Sequence, residues 1–271
     1  MGQHDAPGAH VHWWHINNLS TKAFLATKST AVDVAGKLPC LTEAFDADSG
    51  KAWPGNQIMD VFSNRISFYP RPNGVSADEQ ITLHDATLLK AKGEEHSAIV
   101  ACDGSVPQDS TEQALAVARV WIGDHMVKQT RQASSRAMAP DTELHAIWAS
   151  ISMAMAIAGV DHIYVFTDHL PSAEQVVDPG IHSGQWRSLE VCTRLWSWLG
   201  ADPARCISFI LVNSKLKWSI HQSVHKYVSN QSFSIAHSRH PATLVAYLCT
   251  AEVAVCRDEW NRLFGMSKYL G

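Results

Sequence analysis

Along most of the chain, apolar residues alternate with polar ones or recur at helical spacing, but Ala98-Ile99-Val100-Ala101-Cys102 is unbroken and runs straight into Asp103. A run without alternation predicts a central strand covered on both faces. Gly104 follows, then Ser105, and the glycine permits close backbone approach at the strand end. Asp103 has two readings: a carboxylate held in a site beside a cation, or a loop aspartate just past a strand.

The pattern downstream predicts a succession of elements. Residues 114–122 and 125–132 flank Gly123-Asp124 and predict an antiparallel hairpin. Leu144, Ile147, Trp148, Ile151 and Met155 recur at helical spacing and predict a helix over 141–158, with Pro140 at its start. Residues 161–167 predict a strand ending at Asp168. A short helix over 172–177, a longer one over 184–199 and a strand over 207–212 follow. Helices over 218–228 and 241–264 close the chain. The order βββαβααβα predicts an α/β layer fold with a mixed sheet. Upstream the pattern is weaker, with a short helix over 21–34, a polar turn-rich stretch over 41–55, a strand over 65–69 and a weakly amphipathic stretch over 80–90.

With 271 residues, 46% of them hydrophobic, the chain has enough apolar mass for a full core. A net charge of −4 supplies no global field to gather nucleic acid, so any such binding rests on local patches. The six cysteines form no CxxC pair and read as reduced thiols of an intracellular, non-secreted protein. Residues 1–20 have no apolar core of a signal peptide, and no run of eighteen apolar residues predicts a membrane span. His10, His12 and His15 beside Trp13-Trp14 read either as a flexible tail or as a metal-catching cluster.

Three carboxylates stand at comparable places: Asp103 on the first strand of the series, Glu143 in the first turn of the first helix, Asp168 at the end of the strand after it. Brought together they would repel one another unless cations occupied the site. Oxygen ligands from three elements suit Mg²⁺, with Mn²⁺ as the other candidate. Taken singly, Glu143 also reads as an acid favoured by a helix dipole, and Asp168 as a cap.

These residues lie in motifs. Ala101-Cys102-Asp103-Gly104-Ser105, Thr142-Glu143-Leu144-His145-Ala146-Ile147 and Thr167-Asp168-His169 with Ala173 resemble the "DGS", "AEL.A" and "TDS..A" motifs of the retroviral and retrotransposon type of ribonuclease H. The stretch from Val212 to His225 lies without a gap on the family's "VPSHxGIxGNExAD". The resemblance implies an α/β, ribonuclease H-like fold with a mixed five-stranded sheet flanked by helices. It implies metal-dependent cleavage of RNA in RNA–DNA hybrids, with Asp103, Glu143, Asp168 and His225 as catalytic and metal-binding residues. Two positions depart from the pattern: His225 stands where the family has its last aspartate, and Lys215 where it has a loop histidine. The departures support an alternative, a remnant that binds nucleic acid or a protein partner without cutting. His221 and His225, four apart on one helical face, also resemble a transition-metal pair.

Expected nucleic-acid contacts are Ser105, Lys215, Lys217 and Arg187, with Arg194 and Lys226 nearby. Trp186, Trp196, Trp198 and Trp218 interleave with them and read mostly as core. The expected organisation is an N-terminal remnant (1–55), a connection (56–96), the ribonuclease H-like domain (97–231) and a helical tail (232–271). The flanks resemble the neighbourhood of the ribonuclease H in fungal-type retroelement reverse transcriptase polyproteins, which makes a polymerase part an expected partner.

Overall fold

The computed structural model describes residues 57–264 apart from 71, 73, 109–112, 135 and 230–243. The expectations for residues 1–55, including the helix over 21–34 and the histidine cluster, lie outside the described residues. Six strands form one sheet: β1 (Ile66–Tyr69), β2 (Ser97–Ser105), β3 (Leu115–Ile122), β4 (His125–Ala133), β5 (His162–Thr167) and β6 (Cys206–Leu211). The order is β1-β6-β5-β2-β3-β4. β2, β3 and β4 run antiparallel as a meander, while β5, β6 and β1 run parallel with β2. This is the expected α/β class, a mixed sheet flanked by helices, with one correction: the sheet has six strands, not five.

The extra strand is β1, a four-residue edge. Ile66 pairs with Ile207, and Arg65 sends Nη1 to the carbonyls of Leu199 and Asp202, both at 2.8 Å. Ahead of β1 lies α1 (Ile58–Phe62), and after it α2 (Ala77–Gly93), whose start is fixed by Ser76 and Glu79 capping each other.

Helices cover both faces of the sheet. α3 (Ala139–Met155) and α5 (Gln185–Ala201) pack Leu144, Ile147, Ile151, Leu195 and Leu199 against Ala98, Val100, Ile163, Val165 and Phe209. On the other face α2, α6 (Ser219–Ser229) and Trp218 just before α6 pack Leu88, Ala91, Trp218, Val224 and Val228 against Ile99, Ala101, Phe166 and Ile210. β2 is therefore buried on both sides, which is the physical reason for its continuous apolar run. The short α4 (Leu170–Gln175) follows β5, and α7 (Val245–Phe264) ends the described chain. Among the described residues no helix is long and apolar enough to cross a membrane, and no described cysteine is in a disulfide.

Candidate active site

The alternation of β2 decides where Asp103 points. Ile99 and Ala101 face α6, so Asp103, two residues on, shares that face and is 3% exposed. Asp168 follows the last residue of β5, a parallel neighbour of β2, so both acids stand at the same carboxyl edge of the sheet. Glu143 enters from the first turns of α3, 8% exposed, and its Oε1 accepts the Gly104 N–H at 3.0 Å.

Gly104 is required for that approach. A Cβ there would stand 2.9 Å from Glu143 N, Glu143 Oε1 and the Thr142 carbonyl carbon, two of them backbone. Gly104→Ala is expected to lower stability by about 1–3 kcal/mol, as overpacking does, and to displace the Glu143 carboxylate. Thermal melts check the loss of stability, and the resonance of a ¹³C-labelled Glu143 carboxyl checks the displacement.

α6 lies over the end of β2 and carries two histidines toward the acids. Its seat is set from below: Trp218 donates to Asp85 Oδ1 at 2.8 Å, Arg119 donates to the Ser223 carbonyl at 3.1 Å, and the guanidinium groups of Arg119 and Arg131 lie 4.6 and 4.8 Å from the Tyr227 ring. His225 Nδ1 is 2.8 Å from Asp103 Oδ2, with the rest of the imidazole side chain 62% exposed. His221 is buried, and its Nε2 lies 4.0 Å from Asp168 Oδ1. Ligand atoms of Asp103, Asp168 and His221 all fall within 4.8 Å of one another.

The electrostatics are those of anions crowded away from water. Burial, then the charges of Asp168 and Asp103, push Glu143 well above the usual carboxylate range, against the opposing pull of the Gly104 N–H. Burial also raises Asp103, an effect that His221 opposes most, with Asp168 adding to it and His225 easing it. The neighbouring Cys102 thiol is pushed far up by burial first and by the same three acids. Glu143 Oε2, Asp168 Oδ1 and His221 Nε2 are buried without a hydrogen-bond partner. The ligand atoms that fall within 4.8 Å of one another are those of Asp103, Asp168 and His221, a set able to hold a cation; Glu143 stands beside this set rather than in it.

Sequence reasoning singled out Asp103, Glu143, Asp168 and His225, and the structure brings them to one edge of the sheet. It also brings in His221, which was noticed only for its spacing from His225. Of the expected nucleic-acid contacts, Ser105 is half-buried at the end of β2, while Lys215 and Lys217 are exposed on the loop before α6. Lys217 has φ 51°, a left-handed conformation where the resembling pattern has glycine. Arg187 requires a correction: it is 1% exposed, with Nη2 donating to His145 Nδ1 at 3.3 Å and its guanidinium 4.6 Å from the Trp186 ring. Burial, then Arg187, holds His145 well below the ordinary imidazole range, so a neutral ring accepts the bond. Arg187 thus ties α5 to α3 and presents nothing to a phosphate. Arg187→Ala is expected to cost about 2–4 kcal/mol in denaturant unfolding, leaving nucleic-acid affinity of the folded protein within about twofold.

No family model matches the chain, and no curated protein matches it. Among solved structures it is similar to the N-terminal ribonuclease H domain of a Mycobacterium tuberculosis protein fused to maltose-binding protein: 18% identity over 45% of this chain and 92% of that one, TM-score 0.33. It is similar to ribonuclease H1 from the archaeon Halobacterium salinarum, at 15% identity over 48% of this chain and 98% of that one, TM-score 0.33. It is also similar to a foamy viral protease-reverse transcriptase solved with dsDNA, at 15% identity over 52% of this chain and 97% of that one, TM-score 0.39.

Proposed function

We propose that the chain is a divalent-metal-dependent endonuclease that hydrolyses the RNA strand of RNA–DNA hybrids. The observation that carries the reading is the meeting of the motif residues: ligand atoms of Asp103 and Asp168 fall within 4.8 Å of each other and of His221, and Glu143 is held against Gly104, next to Asp103, by a 3.0 Å hydrogen bond. Asp103, Glu143 and Asp168 would hold the metal, Mg²⁺ or Mn²⁺. When bound, the metal supplies positive charge to the phosphodiester oxygens and lowers the pKa of an attacking water.

The chain's own residues do the rest. Gly104 fixes one Glu143 oxygen, and the other is buried without a hydrogen-bond partner. Lys215 and Lys217 stand exposed on the loop between β6 and α6, which Asn213 shapes by accepting the Lys215 N–H at 3.0 Å. They are positioned to grip hybrid phosphates as point charges, with Ser105 as a further contact.

In this reading residues 97–231 form the catalytic domain, 56–96 a connection whose β1 and α2 pack onto its sheet, and 1–55 and 232–271 its flanks. The parent is a retroelement polyprotein with a polymerase part. A second reading, a domain that binds hybrid without cutting, is favoured by His225, whose Nδ1 is engaged with Asp103 where a fourth carboxylate is expected.

Labelled hybrid incubated with the full chain in Mg²⁺ and then Mn²⁺ tests the proposal. Cleavage that disappears in Asp103→Asn is the expected result, and intact hybrid under both metals with folded protein rejects it. For the surface, Lys215→Ala and Lys217→Ala are each expected to weaken hybrid binding across sequences. Each should reduce the slope of log affinity against log salt by about one, as measured by fluorescence anisotropy at several salt concentrations.

A further inference from the structure

The family pattern supplies oxygen ligands, whereas this chain places a nitrogen among them. We propose that the site binds one nitrogen-preferring divalent transition ion through Asp103, Asp168 and His221, with the His221 imidazole as a direct ligand. The inference rests on the reading of this edge as a metal centre, but not on which nucleic acid is cut there.

The geometry is that of shared ligation. His221 Nε2 and Asp168 Oδ1 are 4.0 Å apart. Two ligands each about 2.1 Å from one ion stand at most about 4.2 Å apart, so this pair already falls within reach of a common centre. All three ligand atoms lie within 4.8 Å of one another, and side-chain adjustments on the order of 1 Å bring them to the roughly 3.4 Å separations of a tetrahedral shell. At 4.0 Å the two atoms are too far apart to hydrogen-bond directly.

Burial supplies the second argument. His221 is 3% exposed, and neither its Nε2 nor Asp168 Oδ1 has a hydrogen-bond partner. A buried imidazole nitrogen 4.0 Å from an equally unpartnered carboxylate oxygen leaves both atoms without a direct hydrogen bond. An ion accepting both lone pairs resolves the two deficits at once.

Ligand chemistry then selects the ion. Mg²⁺ and Mn²⁺ favour oxygen-rich shells, whereas imidazole with two carboxylates suits Zn²⁺ or Co²⁺. His225 takes a different part from His221. Its Nδ1 holds Asp103 Oδ2 at 2.8 Å and so orients the carboxylate, leaving Oδ1 for the ion.

The test uses the full chain stripped with a chelator and titrated with ZnCl₂ and, separately, MgCl₂ by calorimetry. Imidazole ¹⁵N NMR on histidine-labelled protein is read in parallel. Because the chain has 15 histidines, the site is defined as the Zn²⁺ equivalent lost in Asp168→Asn. The expected result is that this equivalent shifts one Nε2 resonance, absent from His221→Asn. That variant should bind it about 10–100-fold more weakly, with Mg²⁺ affinity changed less than threefold. Should His221→Asn fail to fold, the parent spectra decide, because an equivalent lost in Asp168→Asn that perturbs no imidazole Nε2 overturns the proposal. Unchanged Zn²⁺ affinity in folded His221→Asn overturns it too. Zn²⁺ held by His221 without hybrid cleavage sinks the nuclease reading and keeps this one. Undiminished Mg²⁺-supported cleavage in His221→Asn, with no Nε2 shift in the parent, does the reverse.

Discussion

Glu143→Gln is expected to reduce hybrid cleavage by about 10²-fold or more while making the chelator-treated protein more stable at neutral pH. The loss follows from removing a metal-holding carboxylate. The gain follows from linkage. Burial and the neighbouring Asp168 and Asp103 raise the folded-state pKa of Glu143 above the ordinary 4.5, so the folded protein holds that proton more tightly than the unfolded chain. Stability is then highest where the group is protonated in both states. It declines as pH rises from about 4.5 through the raised folded value, because above it a crowded anion must be buried. Glutamine keeps the acceptor for the Gly104 N–H and removes the charge. Melts in EDTA between about pH 4 and 8 should therefore show a fall with pH in the parent that is smaller in Glu143→Gln. The two curves should separate most at the alkaline end, by roughly 2–4 °C for each kcal/mol. A variant melting below the parent throughout would mean that Glu143 is not crowded by the other acids.

What the chain shows before folding depends on how local each cause is. β2 was legible because burial on both faces leaves a run with no alternation. The β3–β4 hairpin and α3 were legible because turn and period are short-range signals. β1 was legible as a strand, but not as part of the sheet: its place beside β6 is set by Arg65 reaching carbonyls 134 and 137 residues away. α2 read weakly because its inward face includes Gln80 and His84 as well as Leu88 and Ala91, though Ser76 and Glu79 mark its start in plain sequence. Arg187 misled because a charge normally signals solvent, and nothing near it in sequence shows His145, 42 residues back, as its partner. The acids of the site were legible through their motifs. His221 was not, because spacing shows only that it shares a face with His225. That this face closes over Asp103 and Asp168 is decided by Tyr227 and Trp218 seating α6.

His225→Asp is expected to invert the behaviour of the site. In the parent, His225 Nδ1 at 2.8 Å from Asp103 Oδ2 is among the groups that ease the raised pKa of Asp103. Aspartate removes that easing and adds a fourth acid at the same sheet edge. The chelator-treated variant should melt below the parent at pH 7 and recover as pH falls toward the ordinary carboxylate range, since protonation removes the added repulsion. With millimolar Mg²⁺ the order should reverse. A fourth carboxylate adds an oxygen donor that suits Mg²⁺, and binding to the folded state alone stabilises by about 2.7 kcal/mol at a hundredfold excess over Kd. Cleavage in Mg²⁺ should rise at least tenfold, about 1.4 kcal/mol of barrier, if the parent is limited by that missing ligand. A parent that does not cut and a variant that does would identify the domain as one whose catalysis lapsed at this residue. A parent that already cuts at the variant's rate, with melts equally responsive to Mg²⁺, would show that His225 serves the reaction as it stands and that the non-cleaving reading is wrong.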